Sequence, residues 1–497
     1  MFLFSKDGPC SYFTHNFVLL TIKGFIQIEV IKMRKLSILL IVFLMTSSVG
    51  CASQPQNNTD NQISAPPQQQ GQQPPSSDIP TSSATPPSNS NSSQIDINAA
   101  YKLSSGSATL SDKTFEANSD DTSAIYVTNS GSLKLNNAEV ITTGNTSSQD
   151  ESSFYGLNAA VIASNGGTIE MNGGSIKTTG TGANGAFSYG QGSMVTLSVV
   201  TINTTADGAH AVMATGGGTM NLNNIKLITA GTSSGAIATD RGGGTINATN
   251  VTVETSGMNS PTIYSTGNIT VKNSQLNSTG SESAVIEGAN TINLVNCTLA
   301  SSKDEKWGVM IYQSMSGDSE GTKGVFTMTD GSLSYTGSDG PLFYVTNSTG
   351  IITLKNVNIT VNSGILIKAA GNDQWGKKGS NGGNVQFTAD AQTLKGDIIA
   401  DNISTIEIVL KNDSTLTGAI NSSDTAKSIS LTLDSSSKWN VTQDSYVTTL
   451  SGVNISNNTV ENIVGNGHTV YYDSTSCPQL GGKTYPLSGG GQLTPKK

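Results

Sequence analysis

The chain has 497 residues, a net charge of −9, 54 glycines, and only 12% charged and 6% aromatic residues, against about 25% charged in an ordinary globular protein. Arg34 and Arg241 are its two arginines, which argues against nucleic acid, whose binding rests on clustered Lys and Arg. Acidic polysaccharide is a poor electrostatic match for the same reason.

In chain order, the first readable element begins at Met33. Met33-Arg-Lys is followed by an apolar run over 36–45 and then by Thr46-Ser-Ser-Val-Gly-Cys51. A basic start, a short apolar core and small residues before a cleavage point make a secretory signal peptide over 33–50, too short for a permanent span. Gly50 before Cys51, with Ala52-Ser53 after it, resembles the bacterial lipoprotein box, although Ser48 stands where that family has Leu. The resemblance implies that Cys51 is lipidated and becomes the mature N-terminus, so that the chain is extracytoplasmic and lipid-anchored to a membrane at the cell surface. Residues 1–32 then read as a non-native N-terminal extension, translation starting at Met33.

Residues 51–94 form a Pro/Gln/Ser-rich tether that holds eight of the fourteen prolines. With almost no large aliphatics it cannot bury a core and reads as a disordered linker. Its reach is about 35 Å as a coil and about 130 Å if polyproline-like.

From 95 to 473 one phrase keeps returning: Asn, two residues, then a branched aliphatic. It occurs as Asn137-Ala-Glu-Val140, Asn224-Ile-Lys-Leu227, Asn250-Val-Thr-Val253, Asn273-Ser-Gln-Leu276, Asn296-Cys-Thr-Leu299 and Asn356-Val-Asn-Ile359, with variants at Gly173 and Asp330. From Asn224 the spacings are 26, 23, 23 and then 60 across a longer coil. A period of about 20–50 residues built from short strands and Gly-rich turns marks a solenoid. With no helical pattern in the repeat, the fold class is all-β, a right-handed parallel β-helix of about 12 coils of 23–26 residues. Each coil supplies three strands, as in 123–127, 132–135 and 139–141. Val161, Ala186, Ala211 and Ala236, 25 residues apart, set the expected register. The recurrent Asn suits a corner with left-handed backbone angles. The residues after it, Ala138, Ile225, Val251, Cys297 and Val357, should point inward, which makes Cys297 a buried thiol. Cys477 falls in residues 474–497, read as a flexible tail, and no disulfide pair is expected.

On Leu416-Thr-Gly-Ala-Ile420, Ser430-Leu-Thr-Leu-Asp434, Lys438-Trp-Asn-Val441 and Asn466-Gly-His-Thr-Val-Tyr-Tyr-Asp473, the domain resembles the β-helix surface proteins of bacteria, of the adhesin and autotransporter-passenger type. The resemblance implies adhesion, or contact with glycans and with host or cell-wall polymers. It brings no catalytic residue, and the 24 residues after Asp473 are too few for a membrane barrel.

Two places could carry chemistry. Asp207 with His210, and Asp240 with Arg241, are 33 and 31 residues apart, out of phase with the period, so they need not stack. The alternative function, a polysaccharide lyase or glycosidase of the pectin-lyase-like fold, would need such carboxylates; no catalytic residue is assigned. The second place is a pair of insertions, 313–324 and 369–383, leaving after equivalent strands two coils apart and so emerging on one face. With Tyr312 on the adjoining strand they offer Asp318, Glu320, Lys323, Asp373, Trp375, Lys377 and Lys378 as candidate ligand-binding residues, since aromatic faces beside polar groups suit sugars. Rigid scaffolds commonly carry function on such loops. No metal or cofactor motif is present.

Overall fold

The computed structural model describes residues 97–496; the N-terminal extension, signal peptide, Cys51 and tether lie outside the described residues. The described chain is a parallel β-solenoid of about 16 turns, four more than the expected 12. At roughly 4.8 Å per turn the rungs rise over about 75 Å. The extra turns come from 400 onward, where short strands such as Thr415–Thr417, Lys438–Asn440 and Thr459–Val464 each mark a rung.

Twelve strands, from Asn98–Leu103 to Asp397–Ala400, stack into one sheet. A second sheet takes the other two strands of the earlier coils, and from Thr393–Lys395 onward a nine-stranded sheet takes strands of the later ones. In the earlier coils the two often run as one stretch, such as Ser132–Thr142, bent in the middle by Asn137 at φ 50°. Asn224, Asn250, Asn273, Asn296 and Asn356 have φ between 52° and 56°, a region Asn enters more readily than other non-glycine residues. Their amides form a ladder: Asn250 Nδ2 donates to Asn224 Oδ1 (3.1 Å) and Asn296 Nδ2 to Asn273 Oδ1 (3.0 Å). The ladder turns the chain so that Ala138, Ile225, Val251, Cys297 and Val357 are buried. The core they join is a continuous column of aliphatics from all coils, each contributing about 1.5–3 kcal/mol on burial.

The alanine register holds only in part. Val161 pairs with Ala186, but Ala186 pairs with Val212 and Val212 with Ile237, because one rung is a residue longer than 25. Three rungs are longer still: Ile125 pairs with Val161, Val309 with Phe343 and Ile367 with Ile398. The excess residues are the insertions of the fold.

The first of these was not expected from the strand pattern. Gln149–Tyr155 is a helix, capped by the Ser148 hydroxyl accepting from the Glu151 N–H and closed by Gly156 at φ 80°. The expected tail, 474–497, is also structured through Lys496. A 3-10 turn Pro478–Leu480 and an antiparallel pair, Tyr485–Ser488 with Gln492–Pro495, close the last coil. Leu480, Leu487 and Leu493 bury their side chains there, and so does Cys477; this apolar payload is why the segment folds. Cys297 and Cys477 are both free thiols. Among the described residues no helix is long and apolar enough to cross a membrane.

Candidate functional site

Side chains of the twelve-stranded sheet alternate between the core and the outer face. The outward column rises from Tyr126 through Ile162, Phe187 and Met213 to Ala238, then continues through Tyr264, Val285, Met310 and Tyr344 to Lys368. Much of it is apolar, so it must be covered or used.

The lower half is covered. Tyr126, Ile162, Phe187, Met213 and Ala238 form a second apolar layer with Ile97 and Ala159, in the stretch just after the helix. The helix is tied down by Thr215 Oγ1 donating to the Phe154 carbonyl (2.7 Å) and Gln149 Nε2 donating to that of Gly208 (3.1 Å). At Gly156 an added Cβ would strike Ile162 and Phe187, so only glycine fits that crossing.

The upper half carries aromatics instead. Trp307 stacks on Tyr344 with centroids 4.6 Å apart and planes 24° apart, and Tyr312 meets Trp375 at 4.7 Å. Val285, Met310 and Tyr344 form the floor of this patch. Trp307, Tyr312 and Trp375 are half-buried, so part of each ring reaches solvent.

Between the halves lies a polar cluster. Glu287 is buried at 2% exposure, and its carboxylate is saturated. One oxygen accepts from the hydroxyls of Tyr264 and Tyr312 (the latter 2.8 Å), the other from the Ser314 hydroxyl and N–H. Burial pushes the Tyr264 and Tyr312 phenols well above their ordinary range, reinforced at Tyr264 by Tyr312 and Glu287 and at Tyr312 by Glu287, against the pull of the Tyr264 hydrogen bond. Asp240 follows the strand Ile237–Thr239 at the cluster's lower edge. Burial, then the neighbouring Asp318 carboxylate, pushes its carboxyl up to about 8, against the pull of the Arg241 N–H. Arg241 Nη2 donates to Asp318 Oδ1 (2.8 Å) and its guanidinium lies 3.8 Å from the Phe154 ring centroid.

The two expected insertions do leave the same sheet, after Val309–Tyr312 and Ile365–Ala369. Asn347 Nδ2 donates to the Gln313 carbonyl (2.6 Å) at the root of the first. In the second, Asn372 Oδ1 accepts from the Trp375 N–H (2.5 Å) and Asn381 Nδ2 donates to the Trp375 carbonyl (2.6 Å). Of the residues expected from sequence, Tyr312, Asp318 and Trp375 come together here. Glu320, Lys323 and Lys377 are exposed. Asp373 and Lys378 pair with each other at 2.8 Å in full solvent, and the Lys378 ammonium holds the Asp373 carboxyl below its usual range.

Asp207 and Asp240 are not brought together. Asp207 precedes the strand Val212–Thr215 and accepts from the Thr232 N–H (2.7 Å), a corner bond, while Asp240 stands at the far end of the neighbouring strand. His210 hydrogen-bonds through Nδ1 to the Gly235 carbonyl (3.0 Å), and burial pushes it down to about 4. Sequence reasoning missed Tyr264, Glu287, Trp307 and Tyr344. One signal was available: Glu287 ends Ala284–Glu287, a strand otherwise without a polar residue. Among the described residues no group of His, Cys, Asp and Glu could hold a metal ion.

No family model matches the chain, and no curated protein matches it.

Proposed function

We propose that this chain is a lipid-anchored, extracytoplasmic surface module of the adhesin-like kind that holds glycans against the upper half of this flank. The observation that carries the reading is the pair of aromatic contacts, Trp307–Tyr344 and Tyr312–Trp375, beside the partly exposed Arg241 and Asp318 side chains. Flat apolar rings next to convergent polar groups suit a sugar, which presents an apolar face and a rim of hydroxyls. The lipoprotein-like signal and the proline-rich tether supply the anchor and the reach. A glycan array on the protein carrying Cys51→Ser, with product analysis of every positive, tests it. Saturable binding lost in Trp375→Ala supports the module; an array blank for the unsubstituted protein overturns it.

One observation favours a second reading, a polysaccharide lyase or glycosidase of the pectin-lyase-like fold. Asp240 stands beside Asp318, which Arg241 holds, and burial with that neighbour raises its carboxyl, the character a general acid requires. Release of cleaved products by the wild type, abolished in Asp240→Asn with binding retained, would establish that reading.

A further inference from the structure

Above the aromatic patch the same flank opens into a groove of about 580 Å³ lined by Lys368, Ala370, Ile399, Asp401 and Asp424 among others. Its floor continues the outward column, since Tyr344 pairs with Lys368 and Lys368 with Ile399. The column does not stop there. On the core side of that column Ile398 bridges to Ile420, and the Tyr446 N–H donates to the Ile420 carbonyl (3.0 Å), which carries the outward positions past the buried Asn421 to Tyr446 and its partner Tyr471. Tyr446 and Tyr471 stack at 4.6 Å with planes 9° apart, both half-buried. The column that floors the groove therefore carries one aromatic pair below it and another above it, about four rungs apart, or roughly 19 Å.

The charges of the groove are already matched within the protein. Asp424 pairs with Lys496 at 2.6 Å. Asp401 accepts from the N–H groups of Gly371 (2.7 Å) and Ile403 (3.2 Å). The Lys368 ammonium lies 5.9 Å from the Tyr344 ring centroid. No uncompensated cluster of either sign calls for an ionic ligand, and the net charge of −9 repels polyanions. The floor residues Ala370 and Ile399 are apolar, and the Asn402, Ser423 and Asp424 side chains rim them.

We propose that the groove and the two aromatic pairs form one track for a linear, neutral glycan lying along the solenoid axis, from Trp307–Tyr344 to Tyr446–Tyr471. The inference rests on the glycan-binding reading and extends it, because it assigns ligand charge, direction and length. A ligand that spans both pairs engages two platforms joined by its own backbone, so affinity rises with chain length until both are reached.

The test is calorimetric titration of the Cys51→Ser protein with trimers and hexamers of gluco-, xylo- and laminari-oligosaccharides, and with an oligogalacturonate as the acidic probe. The expected result is at least one neutral series whose hexamer binds about tenfold more tightly than its trimer, about 1.4 kcal/mol. Tyr446→Ala and, separately, Ile399→Asp should each bring that hexamer down to trimer affinity while the thermal transition stays in place. Binding lost in Trp375→Ala but blind to chain length and to Tyr446→Ala would overturn the track and leave the aromatic patch as the site. Preference for the oligogalacturonate would overturn the neutral assignment. Failure of every oligosaccharide would overturn the track and the glycan reading together.

Discussion

Arg241 and Asp318 are 77 residues apart in sequence, yet Nη2 of one lies 2.8 Å from Oδ1 of the other. Through this contact, and through the stacking of Arg241 on Phe154 at 3.8 Å, the helix insertion is joined to the first loop insertion. The solenoid coils hold each insertion at its root, and this one side chain links their tips. Arg241→Ala should free the tip of the loop at 314–318 without unfolding the coils. Both partners are partly exposed, so the cost is about 1 kcal/mol. Amide hydrogen exchange should rise in those five residues and stay unchanged in Val309–Tyr312.

Glu287 is a different kind of anchor. Three hydroxyls and one backbone N–H converge on it, and Glu287→Ala would strand these donors in a buried site. Each stranded group costs about 1–3 kcal/mol, so a loss of about 3 kcal/mol in urea unfolding is expected. Glycan binding should fall with it, because Tyr312 no longer holds Trp375 in place.

Val199 breaks the Asn ladder. It stands at a corner with φ 58° and 62% exposure, where the equivalent Asn224 and Asn250 have φ 54° and 56°. A β-branched residue in the left-handed region is strained by about 1–2 kcal/mol. Val199→Asn should therefore stabilise the protein by about 1 kcal/mol and raise Tm, whereas Asn250→Val should lower stability by at least as much, losing its bond to Asn224 as well.

Two groups make stability depend on pH in opposite senses. His210 is pushed down to about 4 in the folded protein from an ordinary 6.5, so its contribution is present above about 6.5 and is lost as pH falls toward 4. With Asp240 replaced by Asn, which isolates this group, denaturation midpoints should decline over that interval, and adding His210→Gln should flatten the decline. Asp240 is raised to about 8 from 3.8. Its contribution is complete below about 3.8 and is lost as pH rises through 8. Between about 4 and 6.5 the two slopes oppose each other, so Asp240→Asn should remove the loss of stability above 6.5 and steepen the decline below it.

The solenoid was legible in the sequence because each coil touches mainly the coils next to it. A corner that needs a left-handed residue recurs at nearly constant spacing, so the Asn phrase and the inward positions after it could be read directly, Cys297 included. The same locality made the two loop insertions visible as interruptions after Tyr312 and Lys368. What could not be read is whatever the repeat leaves free. An outward residue such as Tyr264 or Glu287 satisfies the coil equally well as a serine, and only the stacking of rungs puts the two beside Tyr312. The helix at Gln149–Tyr155 has a cap but too few residues to announce itself against a strand pattern, and its role over Phe187 and Met213 depends on the sheet beneath it. The C-terminal cap is misread for a related reason: its polar, glycine-rich sequence folds because Leu480, Leu487 and Leu493 have an open coil to close. Sequence by itself thus determined the coil, the corners and the core, which are set by neighbours at short range. Tertiary structure alone decided the flank, where Arg241, Glu287 and the aromatic pairs meet across dozens of residues through packing that no local pattern encodes.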